Sequence, residues 1–526
     1  MLKKITAIVA AVVMILFYWS ANQSNIRLEQ DRQLAQTYCS SCHLFPEPDI
    51  LPKDSWLAAL GYMGYYLGIT NLDYLEGSPD FVIENVQSKL RYLEREGVFP
   101  ASPLISEEDW ETVRSYYLNA APDLSREQLS KLQSAELSQF NPLRTSYRFS
   151  PPMLTTAVGI DSTNNQVYLG DSFYESIASI GNNGRVASGP RNFFPPVTPI
   201  KFEFTQDAIF VGSIGDVFGS STADDAPGFI GILTEIENGI GDAVYTPLIG
   251  NLPRIADFLR VDLDLDGNDD FVVSGFGLAT GQLTIHWGRD EGGFDIQALA
   301  NRAGSVKAQT SDFNDDGIPD IAVLFADARE GIVIYENNGN RIFTPHNVLE
   351  MHSAYGHTYF EIKDMDGDGM EDFLVANGDN VDSDPYNTLK NYHGVRIYKN
   401  YGDYNFVEDY FYPMYGAYRA QAEDFDLDGD LDIAAIAFFP DFSLDEPESF
   451  IYLENNDGVF TPFSSAQANQ GRWMTMDVGD IDGDGLLDIA LGASYVPLGM
   501  SNYMEKFQEM AANGPGAMIL QNNSRD

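Results

Sequence analysis

Cysteine and basic residues are scarce in this chain, and each scarcity excludes a class of protein. The sequence has two cysteines in 526 residues, which excludes a scaffold held together by several disulfides. It has 31 Lys and Arg against 78 Asp and Glu, which gives a formal net charge of −47. Nucleic acid and anionic lipid surfaces would repel such a chain. The composition favours a protein of a salty, calcium-containing space outside the cytoplasm.

An apolar run occupies the N terminus. Lys3 and Lys4 precede fifteen residues, from Ile5 to Trp19, that are apolar except for Thr6. Residues 1–24 are therefore expected to be an export signal or a short membrane anchor. The run is long for a signal core and short for a membrane span, and its cleavage region is poor, which favours an uncleaved anchor. The predicted location is periplasmic or at the cell surface, with residues 5–19 in the inner membrane.

The two cysteines lie close together in the pentapeptide CSSCH. Cys39 and Cys42 are followed at once by His43. This pattern matches the attachment of one covalent haem c, in which two thioethers hold the haem and the histidine binds iron. A redox dithiol and half of a zinc site are the alternatives. The first lacks a βαβ context, and the second lacks further ligands nearby.

The region around this motif is predicted to be helical. Helices are expected over 26–38, 54–66, 79–96 and 107–119, with a helical linker over 120–140. Residues 25–140 resemble a small class I cytochrome c, which implies a methionine or histidine as the sixth iron ligand. Met63 is the only methionine between Met14 and Met153, so the resemblance points to Met63. Its spacing of twenty residues from His43 is short for the class, and a packed core methionine beside five-coordinate iron is the alternative.

A nine-residue pattern recurs five times in the second part of the chain. Each copy has Asp or Asn side chains at positions 1, 3, 5 and 9 and a glycine at position 6. Alternate carboxylates in a tight loop supply oxygen ligands to one Ca²⁺, and the glycine permits the sharp turn. Acidic turns without an ion are the alternative, which the fivefold repetition disfavours. The predicted ligands are Asp262, Asp264, Asp266, Asp270, Asp312, Asn314, Asp316, Asp320, Asp364, Asp366, Asp368, Asp372, Asp424, Asp426, Asp428, Asp432, Asp480, Asp482, Asp484 and Asp488.

The spacing of the copies predicts a ring of similar units. Seven apolar runs start 42 to 62 residues apart, five after an acidic loop and two without one. Further β-like segments follow each run, which makes four strands per unit and predicts a seven-bladed β-propeller over 141–526. The last unit lacks an outer strand, and the segment 144–149 is expected to supply it, because an open sheet edge would otherwise remain.

The five nonapeptides resemble those of the FG-GAP/VCBS repeat family, the calcium-loop propellers that include the head of the integrin α chain. The resemblance covers the chain from about Asn141 to the C terminus. It implies an all-β propeller that binds about five Ca²⁺. The expected fold is thus multidomain, with a small all-α cytochrome c-like domain followed by an all-β seven-bladed propeller.

Basic side chains recur near the start of the inner strand in six successive units. With polar groups of the fifth unit, they are predicted to form a positively biased pocket on the face opposite the calcium loops. Its expected partner is an anionic or hydroxyl-rich ligand, including a small molecule or glycan, or an acidic patch on a protein. Solvated rim charges are the alternative. The residues are Lys201, Arg254, Lys307, His357, Asp379, Asn380, Asp382, His393, Arg419 and Arg472.

Together these patterns favour electron transfer by an exported monohaem cytochrome whose propeller docks a redox partner or recognises a substrate. Two alternatives stay open. One is an oxidoreductase or hydrolase with its site on the propeller loop face. The other is a haem-bearing adhesion or glycan-binding module. The sequence has no Ser–His–Asp signature, nucleotide loop or flavin fingerprint, so the question of an enzyme stays open.

Overall fold

The computed structural model describes residues 26–41, 43–125, 127–215, 217, 227–236, 239–277, 280–326, 329–380 and 384–523. These residues form two compact units. The first contains the described residues up to Ser125 together with 384–388, and the second contains the remainder. The predicted N-terminal signal or anchor lies outside the described residues. Within the described part of the chain, no helix is long and apolar enough to cross a membrane.

The first unit is helical, and its helices lie within one residue of the predicted bounds. They are α1 (26–39), α2 (Lys53–Tyr66), α3 (Asp80–Arg95) and α4 (Glu107–Ala120), with short 3-10 turns at Pro48–Ile50 and Asp73–Leu75. Ser106 caps α4, because its side-chain oxygen accepts a hydrogen bond from the backbone N–H of Asp109.

Two glycines let α2 pack closely on its neighbours. A Cβ atom at Gly61 would lie 2.6 Å from a methyl carbon of Val86 on α3, and one at Gly64 would lie 2.9 Å from the ring of Trp110 on α4. Nearer its N terminus, α2 contributes Trp56, whose ring centroid lies 4.2 Å from that of Tyr117 on α4. The helix α2 therefore forms the centre of this unit.

The second unit is a seven-bladed β-propeller, and each blade contains four antiparallel strands. Two short strands precede the blades, β1 (Ala135–Glu136) and β2 (Phe140–Arg144). Blade 1 consists of β3 (Thr155–Asp161), β4 (Gln166–Asp171), β5 (Ser176–Gly181) and β6 (Val186–Asn192). Blade 2 consists of β7 (Pro199–Phe204), β8 (Ile209–Ser213), β9 (Gly228–Ile236) and β10 (Gly239–Leu252). Blade 3 consists of β11 (Ile255–Val261), β12 (Asp270–Gly275), β13 (Gln282–Gly288) and β14 (Phe294–Ala300).

The remaining blades follow the same order along the chain. Blade 4 consists of β15 (Ser305–Ser311), β16 (Asp320–Phe325), β17 (Glu330–Asn337) and β18 (Phe343–Met351). Blade 5 consists of β19 (His357–Lys363), β20 (Asp372–Asn377), β21 (Gly394–Asn400) and β22 (Phe406–Pro413). Blade 6 consists of β23 (Ala417–Glu423), β24 (Asp432–Ala437), β25 (Phe450–Asn456) and β26 (Val459–Ser464). Blade 7 consists of β27 (Trp473–Gly479), β28 (Asp488–Ala493), β29 (Ala517–Asn522) and the early strand β2.

Apolar side chains pack between neighbouring blades to form the core. Val272 and Ile285 of blade 3, for example, pack with Ile321 and Val323 of blade 4. The inner strand β3 contacts both β7 and β27, so the ring of blades is complete. The insertion between the second and third strands of blade 7 contains the helix α5 (Met504–Asn513).

The ring closes by exchange between the two ends of the propeller, as predicted, but the closing strand differs. The strand β2 pairs with β29, and of the predicted segment 144–149 only Arg144 lies in it. Residues 140–144 take this place because Phe140 packs its ring 5.4 Å from Phe425 and 5.3 Å from Tyr452. The following residues turn toward blade 1, where the N–H of Ser146 donates to the Gly184 carbonyl.

The prediction of a helical linker over 120–140 is wrong. Residues 127–134 have no regular structure, and β1 pairs in parallel with β26 at the edge of blade 6. Lys131 Nζ donates to the carbonyl of Pro413 at 2.8 Å and forms an ion pair with Glu448. These tertiary contacts outweigh the modest helix propensity of the segment.

We expect Phe140→Ala to destabilise the propeller by about 3 kcal/mol, because it removes a large buried side chain from the closing strand. Phe140 is 2% exposed, whereas Phe194 is 93% exposed, so Phe194→Ala is the matched control. Thermal unfolding followed by circular dichroism measures the difference. Equal melting temperatures for the two variants would contradict a closing role for β2.

Candidate functional site

The five acidic loops join the first and second strands of blades 3 to 7, and each folds around its first aspartate. Asp262 Oδ1 accepts a hydrogen bond from the N–H of Asp266 at 3.1 Å, and Oδ2 accepts one from Gly267 at 2.9 Å. Asp312, Asp364 and Asp424 accept the equivalent pairs, and Asp480 accepts from Gly483 and Gly485. Gly267 has φ 91°, which explains the glycine at position 6.

The aspartate at position 9 begins the second strand and is buried. Asp372 accepts hydrogen bonds from the N–H of Met365 at 3.1 Å and from the N–H of Asn400 at 2.8 Å. Burial raises the pKa of Asp320, Asp372 and Asp488 to about 6. A cation beside such a carboxylate lowers its pKa, because an opposite charge favours the ionised form.

The oxygen atoms of these loops fit a divalent cation. In blades 3, 5 and 7 the carboxylates of positions 1, 3 and 9 come within 4.8 Å of one another, and in blade 6 those of positions 1, 3 and 5 do so. Asp264 Oδ1 is buried and has no hydrogen-bond partner within the described residues. Carboxylates this close repel one another unless a cation lies between them. Hard oxygen donors in this number are the ligands that Ca²⁺ prefers.

The loops of blades 4 and 6 each show one further difference in detail. The blade 4 loop has Asn314 at position 3, and Asn314 Oδ1 accepts a hydrogen bond from the N–H of Asp316 at 3.0 Å. In blade 6, the hydroxyl of Tyr452 donates to Asp432 Oδ2 at 2.6 Å. The position 9 carboxylate of blade 6 thus accepts from a phenol, and the carboxylates that come within 4.8 Å of one another in this blade are those of positions 1, 3 and 5.

Asparagines at the end of the third strand support the loops, and the sequence interpretation missed this role. The N–H of Asn337 donates to Asp320 Oδ1, and its side-chain amide donates at 3.0 Å to the carbonyl of Leu263 in the blade 3 loop. Asn522 repeats this arrangement with Asp488 and Phe425. The signal was present in the sequence, since an asparagine lies at or next to the end of the third strand in blades 4 to 7, at Asn337, Asn400, Asn455 and Asn522.

The described residues of the CSSCH motif, which is predicted to attach haem, lie at the end of α1 and just after it. Cys39 is 5% exposed and lies next to the hydroxyl of Tyr117, and Cys42 lies outside the described residues. His43 Nδ1 is 2.7 Å from the carbonyl of Leu44. Burial lowers the pKa of His43, and the bond to Leu44 acts in the opposite direction. A neutral imidazole that donates through Nδ1 has its Nε2 lone pair available to bind iron, so this residue fits the predicted role.

Met63 lies on α2 and is partly buried. It follows Trp56 by seven residues, which places both on one face of the helix, about 10 Å apart. The ring of Trp56 lies at an angle of 33° to that of Tyr117, the tyrosine beside Cys39, and the Nε1–H of Trp56 donates to the carbonyl of Pro48. The face of α2 that carries Met63 therefore begins near the CSSCH motif, and iron coordination by Met63 stays a prediction.

The inner strands of blades 2 to 7 place charges of alternating sign at the centre of the ring. Lys201 Nζ lies 3.3 Å from Asp257 Oδ1 of the next blade. Burial and the neighbouring Arg419 lower the pKa of Lys307, and the attraction of Glu361 opposes this shift. The ring of charges is Lys201, Asp257, Lys307, Glu361, Arg419 and Asp477, and blade 1 contributes Ala157 and Gly159 at the equivalent positions.

The prediction of one positively biased pocket is therefore corrected. Lys201, Lys307 and Arg419 lie beside acids of the inner strands. The acids also accept backbone bonds from the next blade, as Glu361 does from Ala422 at 2.9 Å. Arg472 is buried and donates to the carbonyls of Phe438, Val496 and Leu498, and Arg254 donates to the carbonyl of Val217. Along their strands the acids point to the same side as the bases, and this alternation was visible in the sequence, although it does not say which acid lies beside which base. Asp382 lies outside the described residues.

The structure does bring His357 and His393 together, at the junction of blades 4 and 5. Three histidines and two tyrosines form a histidine–tyrosine cluster on the face opposite the acidic loops. The rings of Tyr355 and Tyr392 stack with centroids 4.7 Å apart and an angle of 19° between planes. His352 lies edge-on to Tyr355 at 4.6 Å, and His357 lies parallel to Tyr355 at 5.9 Å. His393 lies edge-on to Tyr392 at 5.5 Å.

Charged groups of two blades surround this cluster. Glu330, from blade 4, lies 2.7 Å from His357 Nδ1. Arg396, from blade 5, pairs with Glu408 and donates to the carbonyl of Tyr392 at 2.7 Å. Lys390 bonds Asn380, and Asp379 is partly buried in the same loop. The cations in the cluster are thus engaged by neighbouring oxygens.

Comparison with known proteins supports the repeat assignment. The model of the FG-GAP-like repeat matches residues 312–375, 364–435 and 442–491. The chain therefore carries FG-GAP-like repeats in its seven-bladed propeller. No curated protein matches the chain. The crystal structure of the N-terminal domain of Nup159 matches 75% of this chain and 99% of that chain, with 11% identity and a TM-score of 0.39.

Proposed function

We propose that this protein is an exported monohaem c-type cytochrome whose calcium-stabilised propeller is a docking platform for a redox partner. The observation that carries the proposal is the CSSCH motif, with Cys39 buried and His43 held through Nδ1 by the Leu44 carbonyl. The FG-GAP-like propeller supports the recognition role. An anchor over residues 5–19 would keep the protein at the membrane in the compartment where haem c is attached.

The residues of the first unit have distinct roles in this proposal. A bound haem supplies a carrier for one electron. Cys39 and Cys42 would hold it covalently, and His43 would bind the iron. Met63 is the proposed sixth ligand, and methionine ligation favours a relatively high reduction potential. The buried Tyr117 and Trp56 beside Cys39 provide an apolar surface that excludes water.

The acidic loops have a structural role in this proposal. About five Ca²⁺ ions neutralise the carboxylates of blades 3 to 7 and fix the turn between the two inner strands of each blade. The buried Asp264 Oδ1 without a partner in the described part of the chain supports an ion in the first loop. The asparagine bonds, such as that of Asn337 to Leu263, link neighbouring loops, so ion binding in one blade also orders the next.

The electron-transfer proposal is tested by following haem absorbance in the purified full-length protein. We expect the oxidised protein to be reduced by a periplasmic protein fraction and not by small organic substrates alone. Boiled fraction is the control. Reduction by a small substrate in the absence of any other protein would instead identify an oxidoreductase, and this result would contradict the carrier role.

A further inference from the structure

We propose that the histidine–tyrosine cluster is a binding site for a neutral pyranose sugar. This inference rests on the proposed recognition role of the propeller and does not depend on the haem. The cluster combines an aromatic surface with hydrogen-bond acceptors, and these two features match the apolar C–H face and the hydroxyl groups of a pyranose.

The aromatic surface consists of Tyr355, Tyr392 and His352. All three are partly exposed, and their rings contact one another at 4.6 to 5.6 Å between centroids. The amide of Asn377 donates to the carbonyls of both tyrosines, at 2.9 and 3.1 Å, so the backbone under these rings is fixed. Rigid aromatic rings at the mouth of a polar site provide contact area at a low cost in conformational entropy.

The imidazoles behind this surface present acceptors. Glu330 accepts a hydrogen bond from the Nδ1–H of His357, which leaves the Nε2 lone pair of His357 as an acceptor. His393 is 1% exposed, and its Nε2 has no hydrogen-bond partner in the described part of the chain. Burial lowers the pKa of His393, with Lys390 and Arg396 acting in the same direction, and its ring also bonds the backbone of Ala354. A buried polar atom without a partner is costly, and a ligand hydroxyl would satisfy it.

The charges around the site decide between a neutral and an anionic ligand. An anion needs free donors, yet the donors of Arg396 are directed to Glu408, Asn377 and the Tyr392 carbonyl. Lys390 donates to Asn380. A carboxylate ligand would also face Glu330 and the lone pairs of neutral imidazoles. Hydroxyl groups donate to such acceptors without a charge penalty, which favours a neutral sugar.

The test uses full-length protein and the methyl glycosides of glucose, galactose and mannose, measured by saturation-transfer NMR and calorimetry. We expect at least one glycoside to bind and Tyr392→Ala to weaken it at least tenfold, which corresponds to about 1.4 kcal/mol. Tyr401→Ala is the matched control, because Tyr401 lies in the same blade, is 59% exposed and belongs to the β21–β22 turn on the acidic-loop face. We expect no change in that variant.

A second variant, His393→Phe, keeps a ring at this position and removes the acceptor, and we expect it to weaken binding as well. Absence of binding for all three glycosides at millimolar concentration would overturn the proposal. So would tenfold preference for glucuronate or galacturonate, or an equal loss in Tyr401→Ala. Haem absorbance is recorded on the same samples. If sugar binding fails while the haem is still reducible, the sugar site is disproved and the proposed electron-transfer role is not affected.

Discussion

Removal of divalent cations is expected to lower the melting temperature of the full-length protein by at least about 10 °C. A site at a hundredfold excess over its dissociation constant stabilises the folded state by about 2.7 kcal/mol, and four or five such sites act together. In blades 3, 5, 6 and 7 the acidic groups lie within 4.8 Å of one another and would repel one another without an ion between them. For a chain of this size, each kcal/mol corresponds to roughly 2 °C.

Differential scanning calorimetry with calcium and with a chelator measures this effect. Asp366→Asn weakens the blade 5 loop and should reduce the calcium-dependent shift by a few degrees. Asp403→Asn is the matched control, because Asp403 lies outside the acidic pattern in the turn between β21 and β22. Superimposable melting curves with and without chelator would show that calcium does not stabilise the folded protein. A similar loss in both variants would show that the effect is one of net charge alone.

Replacement of both motif cysteines by serine, Cys39→Ser with Cys42→Ser, is expected to abolish covalent haem completely. No other thiol exists in the chain, since its two cysteines are both in the CSSCH motif. The measurement is the haem absorbance that remains with the protein after denaturation and acid extraction. Haem that stays bound to the doubly substituted protein under these conditions would contradict attachment at the motif.

The proposed ligand role of Met63 is also tested by substitution, and the readout is the haem spectrum and the reduction potential. We expect Met63→Ala to shift the haem spectrum toward high spin and to lower the reduction potential, because the proposed sixth ligand is lost. Met504→Ala is the control, because Met504 belongs to the propeller and is 41% exposed. An unchanged spectrum in Met63→Ala would show that Met63 does not bind the iron. It would not contradict attachment by Cys39 and Cys42.

Much of the propeller could be predicted because its signals are local and repeated. The loop pattern repeats the same backbone geometry, in which Asp262 and Asp364 each accept two N–H groups of their own loops. The closing exchange also followed from the missing outer strand of blade 7. Its register did not, because the choice of Phe140 over later residues depends on contacts with Phe425 and Tyr452, which are distant in sequence.

The face opposite the acidic loops could be predicted only in part, for a similar reason. The basic residues are visible in the sequence, but their partners come from other blades, as Asp257 does for Lys201. The pairing of His357 with Glu330 also crosses a blade boundary, and no spacing rule gives it. The linker over 127–140 shows the same limit, since Lys131 and β1 find partners in blades 5 and 6 that a local helix would not offer.

The intact mass and visible spectrum of the protein, produced in cells that attach haem c, show whether the chain carries a covalent haem. We expect a mass increase of one haem, a c-type absorption spectrum and a single peptide, containing Cys39 and Cys42, that carries the group. A protein with the mass of the unmodified chain, two free thiols and no visible absorbance, obtained from cells that modify a control cytochrome c, would contradict it.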